Sequence, residues 1–547
     1  MQSSHNNYIR PLIYIAAFLF ALPLSGCAIR DKGIDYSQDG APDYGDAIVT
    51  ASIADATTLI PIVASDSASH EICALIYNGL IRYDKDLNIT GELARSWDIK
   101  EEGRIIVFHL RDDVKWHDGM PFTAEDVFFT YQKLIDPDVR TPYGGDFKKI
   151  ESFEIIDPYT IKITYKEPFA PALSSWGMLI MPKHILEIED LNTTKYGRSP
   201  IGTGPYKFVR WKSGQRIDLK ANEGYFDGKP YIDRYIYRII PDTATMFLEL
   251  QVEGVDFMGI APLQYKRQTE NEFFKKHYNK FRYPSFGYTY LGYNLLNDKF
   301  KDKRVRKALN LAVDKQELID GVLMGLGRIC TGPFVPESWA FDEKVMPDPY
   351  DLHAAKELLL EAGWSDSDGD GVIDKAGLPF EFTVLINQGN DSRKYAAEII
   401  QHQLSRIGIK VKIQVMEWSV LLTEFINKKR FEAILMGWGL SRDPDCYDIW
   451  HSSKTREGEF NFISYQNKQV DSLLEQGRRI FDQEKRADIY HKIHAMLYDE
   501  QPYMFLWVAD SLPIVHKRFK GIEPAAAGIG YNFTKWYVPA QQQKYRR

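Results

Sequence analysis

Residues 380–415 carry the pattern that most narrows what this chain can fold into. Phe380 to Ile386 reads as a strand, and Ala396, Ile399, Ile400, Leu404 and Ile407 then recur on one face of a helix from Asp391 to Ile407. Gly408 stops that helix, and Ile409, Val411, Ile413 and Val415 alternate with polar neighbours. A hydrophobic period near two, then 3.6, then two is the trace of strand, helix and strand. At this spacing it predicts a β-α-β unit and an α/β fold. Two more stretches agree. Residues 105–110 read as a strand, His117-Asp118-Gly119 as a turn, and Thr123 with Asp126 as the capped start of a helix. Asp351 caps a second helix through Leu358, Leu359 and Leu360 that stops at Gly363.

A chain of 547 residues needs more than one lobe, because single cores stop growing near about 250–300 residues. Its 44% hydrophobic content is that of an ordinary globular protein. The formal net charge of −7, with no basic stripe, excludes a nucleic-acid binder. No repeat of 20 to 50 residues is visible.

The N-terminus sets the compartment. Arg10 precedes an uncharged apolar run from Pro11 to Leu24, shorter than the roughly 20 residues a spanning helix needs. It reads as an export signal over residues 1–26. Leu24-Ser25-Gly26-Cys27 resembles the lipobox of bacterial lipoproteins. The resemblance implies that Cys27 becomes the first mature residue and carries a lipid anchor. Residues 27–45 are polar with scattered Gly and Pro and read as a flexible tether. The protein is therefore expected to be exported, periplasmic or at the cell surface. Of the three remaining cysteines, Cys73 sits in an apolar helical context and is expected to be buried. Cys330 and Cys446 lie in Gly/Pro-rich loops and are the candidate disulfide pair.

A series of motifs runs along nearly all of the remaining chain: Ile76-Tyr-Asn-Gly-Leu80, Leu93-Ala-Arg-Ser-Trp97, Phe108-His-Leu-Arg111, Val114-Lys-Trp-His-Asp-Gly119 and Thr123-Ala-Glu-Asp-Val127. Gly202-Thr-Gly-Pro-Tyr206, Tyr290-Leu-Gly-Tyr-Asn294, Asp302-Lys-Arg-Val-Arg-Lys-Ala308 and Gly437-Trp438 with Asp443-Pro444-Asp445 follow. In this order they resemble the family 5 extracellular solute-binding proteins, which serve peptide, nickel and related ABC importers. The resemblance implies a two-lobed periplasmic-binding-protein-like fold of type II, with an additional subdomain inserted in lobe I. Its layout would give lobe I residues 46–285 plus 512–547, with the subdomain at about 81–194, and lobe II residues 286–511.

The ligand site is expected first at Gly437 to Tyr447, after the apparent strand Glu432 to Met436. A glycine-rich turn at a strand's C-terminal end is where open α/β sheets place ligands. In peptide-binding relatives an aspartate of this loop holds the peptide's ammonium group. The matching position here is Ser441, with Asp443 and Asp445 further on. Either acid substitutes for it, or the pair only caps the turn after Pro444. Trp418, Trp438, Tyr447 and Trp450, with Tyr293 and Asn294, are expected to line the cleft. Flat rings bury ligand area at low entropy cost, and Asn bonds peptide backbone in both directions; core packing is the competing use. Arg393 is a candidate clamp for a ligand carboxylate, against a solvated surface arginine.

Asp366, Asp368, Asp370 and Asp374 have the spacing of a calcium loop, but position twelve is Gly377 where a bidentate Glu belongs. A polar Asp-Gly turn is the competing reading, so structural calcium is the only cofactor considered. Trp116-His117-Asp118-Gly119 reads as a turn rather than a catalytic pair, and no Gly-x-Ser-x-Gly elbow, P-loop or His-Glu-x-x-His occurs. The expectation is a monomeric binder that performs no chemistry. It captures a peptide between two lobes and delivers it to an ABC permease. An oligosaccharide, an opine-like compound or a nickel complex is the alternative ligand. A glycan-active enzyme or a surface adhesin is the alternative class.

Overall fold

The computed structural model describes residues 40–545, so the signal segment, Cys27 and most of the tether lie outside the described residues. From Gly45 onward the chain is organised by two seven-stranded sheets. In the first, Gly45–Ser52 lies centrally, parallel to Ile232–Ile239 on one side and Phe257–Gly259 on the other. Arg216–Ala221 and Tyr206–Lys212 extend one flank, Pro513–His516 and Tyr278–Lys280 the other, all by antiparallel pairing.

The predicted β-α-β unit forms one end of the second sheet, with Lys410–Met416 as its edge strand. Glu381–Asn387 and Lys410–Met416 run parallel in an unbroken register from Glu381 opposite Lys410 to Asn387 opposite Met416. The helix between them, Asp391–Ser405, starts at Asn390, whose side chain accepts the Arg393 amide. It ends where Gly408 adopts φ +76°, a backbone geometry that a Cβ disfavours. Ala433–Gly439 joins on the other side of Glu381–Asn387, but pairs with it only at Ala433 and Ile434. Its opposite edge pairs along its whole length with Gly287–Tyr293, antiparallel. Ala433 and Leu435 pack into one core and Ile434 and Met436 into another. That is why this strand reads as a continuous apolar run: both of its faces are covered.

Between Gly45–Ser52 and Tyr206–Lys212 the chain builds a four-stranded antiparallel sheet, in the order Ala94–Lys100, Ile105–Leu110, Thr160–Tyr165 and Ile150–Asp157. The helix Ala124–Ile135 packs on it and opens with the capping box expected from Thr123 and Asp126. Phe108, Trp116 and Trp176 of this segment share one core with Ile48 and Ile217 of the first sheet. The chain leaves the first sheet for the second at Phe281-Arg282 and returns at Leu512. The two passages lie side by side, since Lys280 pairs with Ile514 and Tyr283 with Ser511.

Cys73 is fully buried, as expected. Cys330 and Cys446, the candidate disulfide, are instead free thiols buried in one of the second sheet's cores. Burial pushes the Cys330 thiol up to about 12 and the Cys446 thiol well above its ordinary value. A disulfide is decided by the geometry of the two Cα and Cβ positions, which loop composition does not fix.

Candidate ligand-binding cleft

A cavity of about 880 Å³ lies between a wall packed on the first sheet's core and a wall at the end of the second sheet. The first wall is the helix Ser67–Ile76 and the loop before it, contributing Ser65, Asp66, His70 and Glu71, with Tyr143 beside them. Close packing sets this helix in place: Gly202 and Gly204 press against its last turn, where a Cβ would come within 1.9 and 2.5 Å of Ile76 backbone atoms. His117 holds those glycines, accepting the Gly202 amide at Nδ1 and bonding the Gly204 carbonyl through Nε2. The Trp116-His117-Asp118-Gly119 motif is therefore scaffold. The second wall is the C-terminal end of Ala433–Gly439 with the loop that follows, joined by Phe286, Tyr290, Trp418 and Phe462.

Five of the expected residues line this cavity: Trp418, Trp438, Ser441, Asp443 and Asp445. Trp438 stacks on Phe462 at 5.7 Å and donates to the Tyr503 hydroxyl, while Trp418 Nε1 has no acceptor. Ser441 turns its hydroxyl back onto the Asp443 carbonyl.

The two acids have other partners. Asp443 receives both terminal nitrogens of Arg486, at 3.0 and 2.9 Å. Asp445 receives Arg478 through Nε at 2.8 Å and Nη2 at 2.6 Å. Arg478 also reaches Asp146, in the segment that carries the four-stranded sheet, and lies flat over Tyr447 at 3.9 Å. Burial pushes the Asp146 carboxyl up to about 7, although Arg478 pulls against that shift. Neither Asp443 nor Asp445 is free to take a ligand ammonium. Each neutralises an arginine that is buried among aromatic rings, and removing that partner would strand the cation.

The other five expected residues lie outside the cavity lining. Tyr293 is fully buried and stacks on Phe300 at 4.9 Å. Asn294 donates to the Lys429 and Phe431 carbonyls and so ties the chain before Ala433. Trp450 is core, and Tyr447 lies beneath Arg478 rather than on the cavity surface. Arg393 stands directly behind the second wall: a Cβ on Gly437 would sit 3.3 Å from its Nη2. Nη1 donates to Asn387 Oδ1 at 2.6 Å, and no carboxylate pairs with the guanidinium among the described residues. Desolvation without an anion lowers Arg393 to about 10.

These observations share one design: two sheets, a double passage between them, and an aromatic cleft whose walls come from both. Residues 88–459 match the family model described as "Bacterial extracellular solute-binding proteins, family 5 Middle". The chain belongs to this family. The oligopeptide-binding protein AppA of Bacillus subtilis (strain 168) is 36% identical over 542 residues, covering 96% of this chain and 97% of AppA. The structure of AppA in complex with a nonapeptide superposes with a TM-score of 0.87 at 34% identity, over 91% of this chain and 100% of that one. NikZ from Campylobacter jejuni in complex with Ni(L-His) gives 0.81 at 31%, over 90% and 99%. DppA from Helicobacter pylori in complex with the peptide STSA gives 0.82 at 27%, over 91% and 99%. The fold is thus the two-lobed, type II periplasmic-binding-protein fold of family 5. Among the described residues no helix is long and apolar enough to cross a membrane.

Sequence reasoning missed His70, Glu71, Tyr143, Tyr290 and Phe462 as cleft residues. The four-aspartate loop lies outside the cavity lining. Carboxylate oxygens of Asp366, Asp368 and Asp370 lie within 4.8 Å of one another and face solvent, whereas Asp374 is taken by the amide and hydroxyl of Ser367. Asp366 accepts the Gly369 and Gly371 amides, and Asp370 accepts the Val372 amide, which are bonds of a polar turn.

Proposed function

We propose that the cleft captures short peptides outside the cytoplasm and delivers them to the permease of an ABC importer. One observation carries the reading. Ala433–Gly439 loses its parallel neighbour after Ile434, yet Met436 to Leu440 continue along the cavity. Its open edge presents backbone donors and acceptors to an extended ligand, the geometry of strand addition. Aromatic rings on both walls give side chains roomy apolar contacts, so main-chain bonding with broad side-chain tolerance follows. Trp418 Nε1, buried and without an acceptor, is a further donor for a peptide carbonyl. Arg393 packs against Gly437 and backs this strand from behind. The likeness to a nonapeptide complex at a TM-score of 0.87 supports the same reading.

A peptide touching both walls stabilises the closed form by contacts it lacks in the open one, and the closed form presents itself to the permease. The protein works as a monomer, without a cofactor and without altering its ligand. Cys27, lipidated after signal cleavage, keeps it at the membrane through the tether. Mass spectrometry of protein purified under gentle conditions, paired with thermal shifts against a peptide library, tests the assignment. Co-purifying peptides and library members that raise Tm support it. Their absence in both assays defeats it.

A further inference from the structure

Six carboxylates line the cleft and no lysine or arginine does. Five of the six are already engaged. Asp66 accepts the Ser69 amide, the Ser69 hydroxyl and the Thr57 hydroxyl at 2.8, 2.7 and 2.6 Å. Asp443 and Asp445 hold Arg486 and Arg478. Asp448 pairs with Lys454 at 2.7 Å, and Glu459 with Arg456 at 3.2 Å. Glu71 differs. Its Oε1 accepts the Tyr235 hydroxyl at 2.9 Å, while Oε2 has no partner and no cationic nitrogen lies within 4.0 Å among the described residues. Adjacent His70 is engaged elsewhere, its Nε2 bonded to the Tyr143 hydroxyl at 2.8 Å.

We infer that Glu71 is where the cleft receives a cationic group of its ligand, a primary ammonium, and that it gives the site a preference for ligands carrying one. The inference rests on the peptide reading above and sharpens it. Because the second-wall acids are matched by arginine and lysine, Glu71 is the lining carboxylate left to attract a positive group. An ammonium seated at Glu71 then gains charge-assisted hydrogen bonds to the one carboxylate whose capacity is unused. Desolvation raises the Glu71 pKa while the Tyr235 hydroxyl pulls against it, and a bound cation would pull in the same direction as that hydroxyl.

The ammonium has two sources in a peptide, the α-amino end and a lysine side chain. The experiment separates them with three synthetic libraries of four- to nine-residue peptides: free amino termini without lysine, the same library N-acetylated, and an acetylated library with one lysine per peptide. Binding of each to the wild type, Glu71→Gln and Glu71→Asp is read by native mass spectrometry and calorimetry at pH 7. Wild type is expected to prefer the free-amine or the lysine library over the acetylated one by roughly 10- to 100-fold. Glu71→Gln should erase that preference, and Glu71→Asp, which keeps the charge, should retain part of it. Melting temperatures of the unliganded variants within about 2 °C of wild type exclude misfolding as the cause. Equal binding of all three libraries by wild type, or an undiminished preference in Glu71→Gln, overturns the inference and leaves the peptide reading standing. Binding of no library by wild type overturns both.

Discussion

The two walls of the cleft use the same residue types to opposite ends. On the second wall the loop Asp443–Asp448 is dense in acids, yet each is matched by Arg486, Arg478 or Lys454, so the charge is spent within the protein. On the first wall Glu71 stands with a tyrosine for company and no cation. Acid density therefore marks where the loop is fastened, and a solitary acid marks where a ligand can be held. A carboxylate's worth to a ligand depends on what it has left to give.

The contrast can be broken most forcefully at Arg478. Replacing it by Met should leave Asp146 and Asp445 buried without their cation and lower the unfolding free energy by about 3–5 kcal/mol. Urea unfolding measures this, and a loss below about 1 kcal/mol would mean that the loop is not fastened there. Next in size is Trp438→Ala, which removes a ring of the second wall without touching an ion pair. Peptide affinity should fall by about 2 kcal/mol with little change in Tm, and the reverse outcome would make Trp438 core rather than cleft.

A pH series compares the supports behind the two walls. His117 braces the first wall, and His494 braces the second by accepting the Asp342 amide and packing edge-on to Phe334. Burial depresses both to about 4, so the unfolded chain binds more protons wherever the pH lies below about 6.5. Stability should fall as the pH drops from 6.5 towards 4, by about 1–2 kcal/mol for each histidine at pH 5. His494→Asn and His117→Asn should each flatten part of that slope, and unchanged slopes would contradict the neutral-histidine assignment. The smallest effect belongs to Cys27→Ser. The protein should leave the membrane fraction and bind peptide within about twofold of wild type, because the proposed anchor serves attachment rather than ligand capture.

The parts of the fold visible in the sequence are those where one periodicity runs long enough to name an element. The β-α-β unit at 381–416 is legible to within about two residues at most boundaries, because its helix buries one stripe and its strands pair in register. Site residues follow a different logic. Trp438 was legible because a ring between two glycines at a strand end has few other uses. Tyr293 and Asn294 were misplaced because a strand's end looks the same whether its side chains face a cleft or a core. Glu71 was invisible for a related reason: helical spacing shows that it points away from the core, and only the second lobe reveals that it faces a cavity. Cys330 and Cys446 failed as a pair because loop composition does not show whether two thiols meet in bonding geometry.

The double passage at Phe281-Arg282 and Leu512 has a mechanical consequence. A body hung from one strap can twist, slide and swing. Two straps lashed together edge to edge, as Tyr283 to Ser511 and Lys280 to Ile514 are, resist sliding and twisting and yield mainly to bending across their width. The lobes are left with one easy motion, like covers on a book's spine. A cleft that opens along a single arc brings Glu71 and Gly437 back to the same facing positions at each closure, whatever peptide lay between them before.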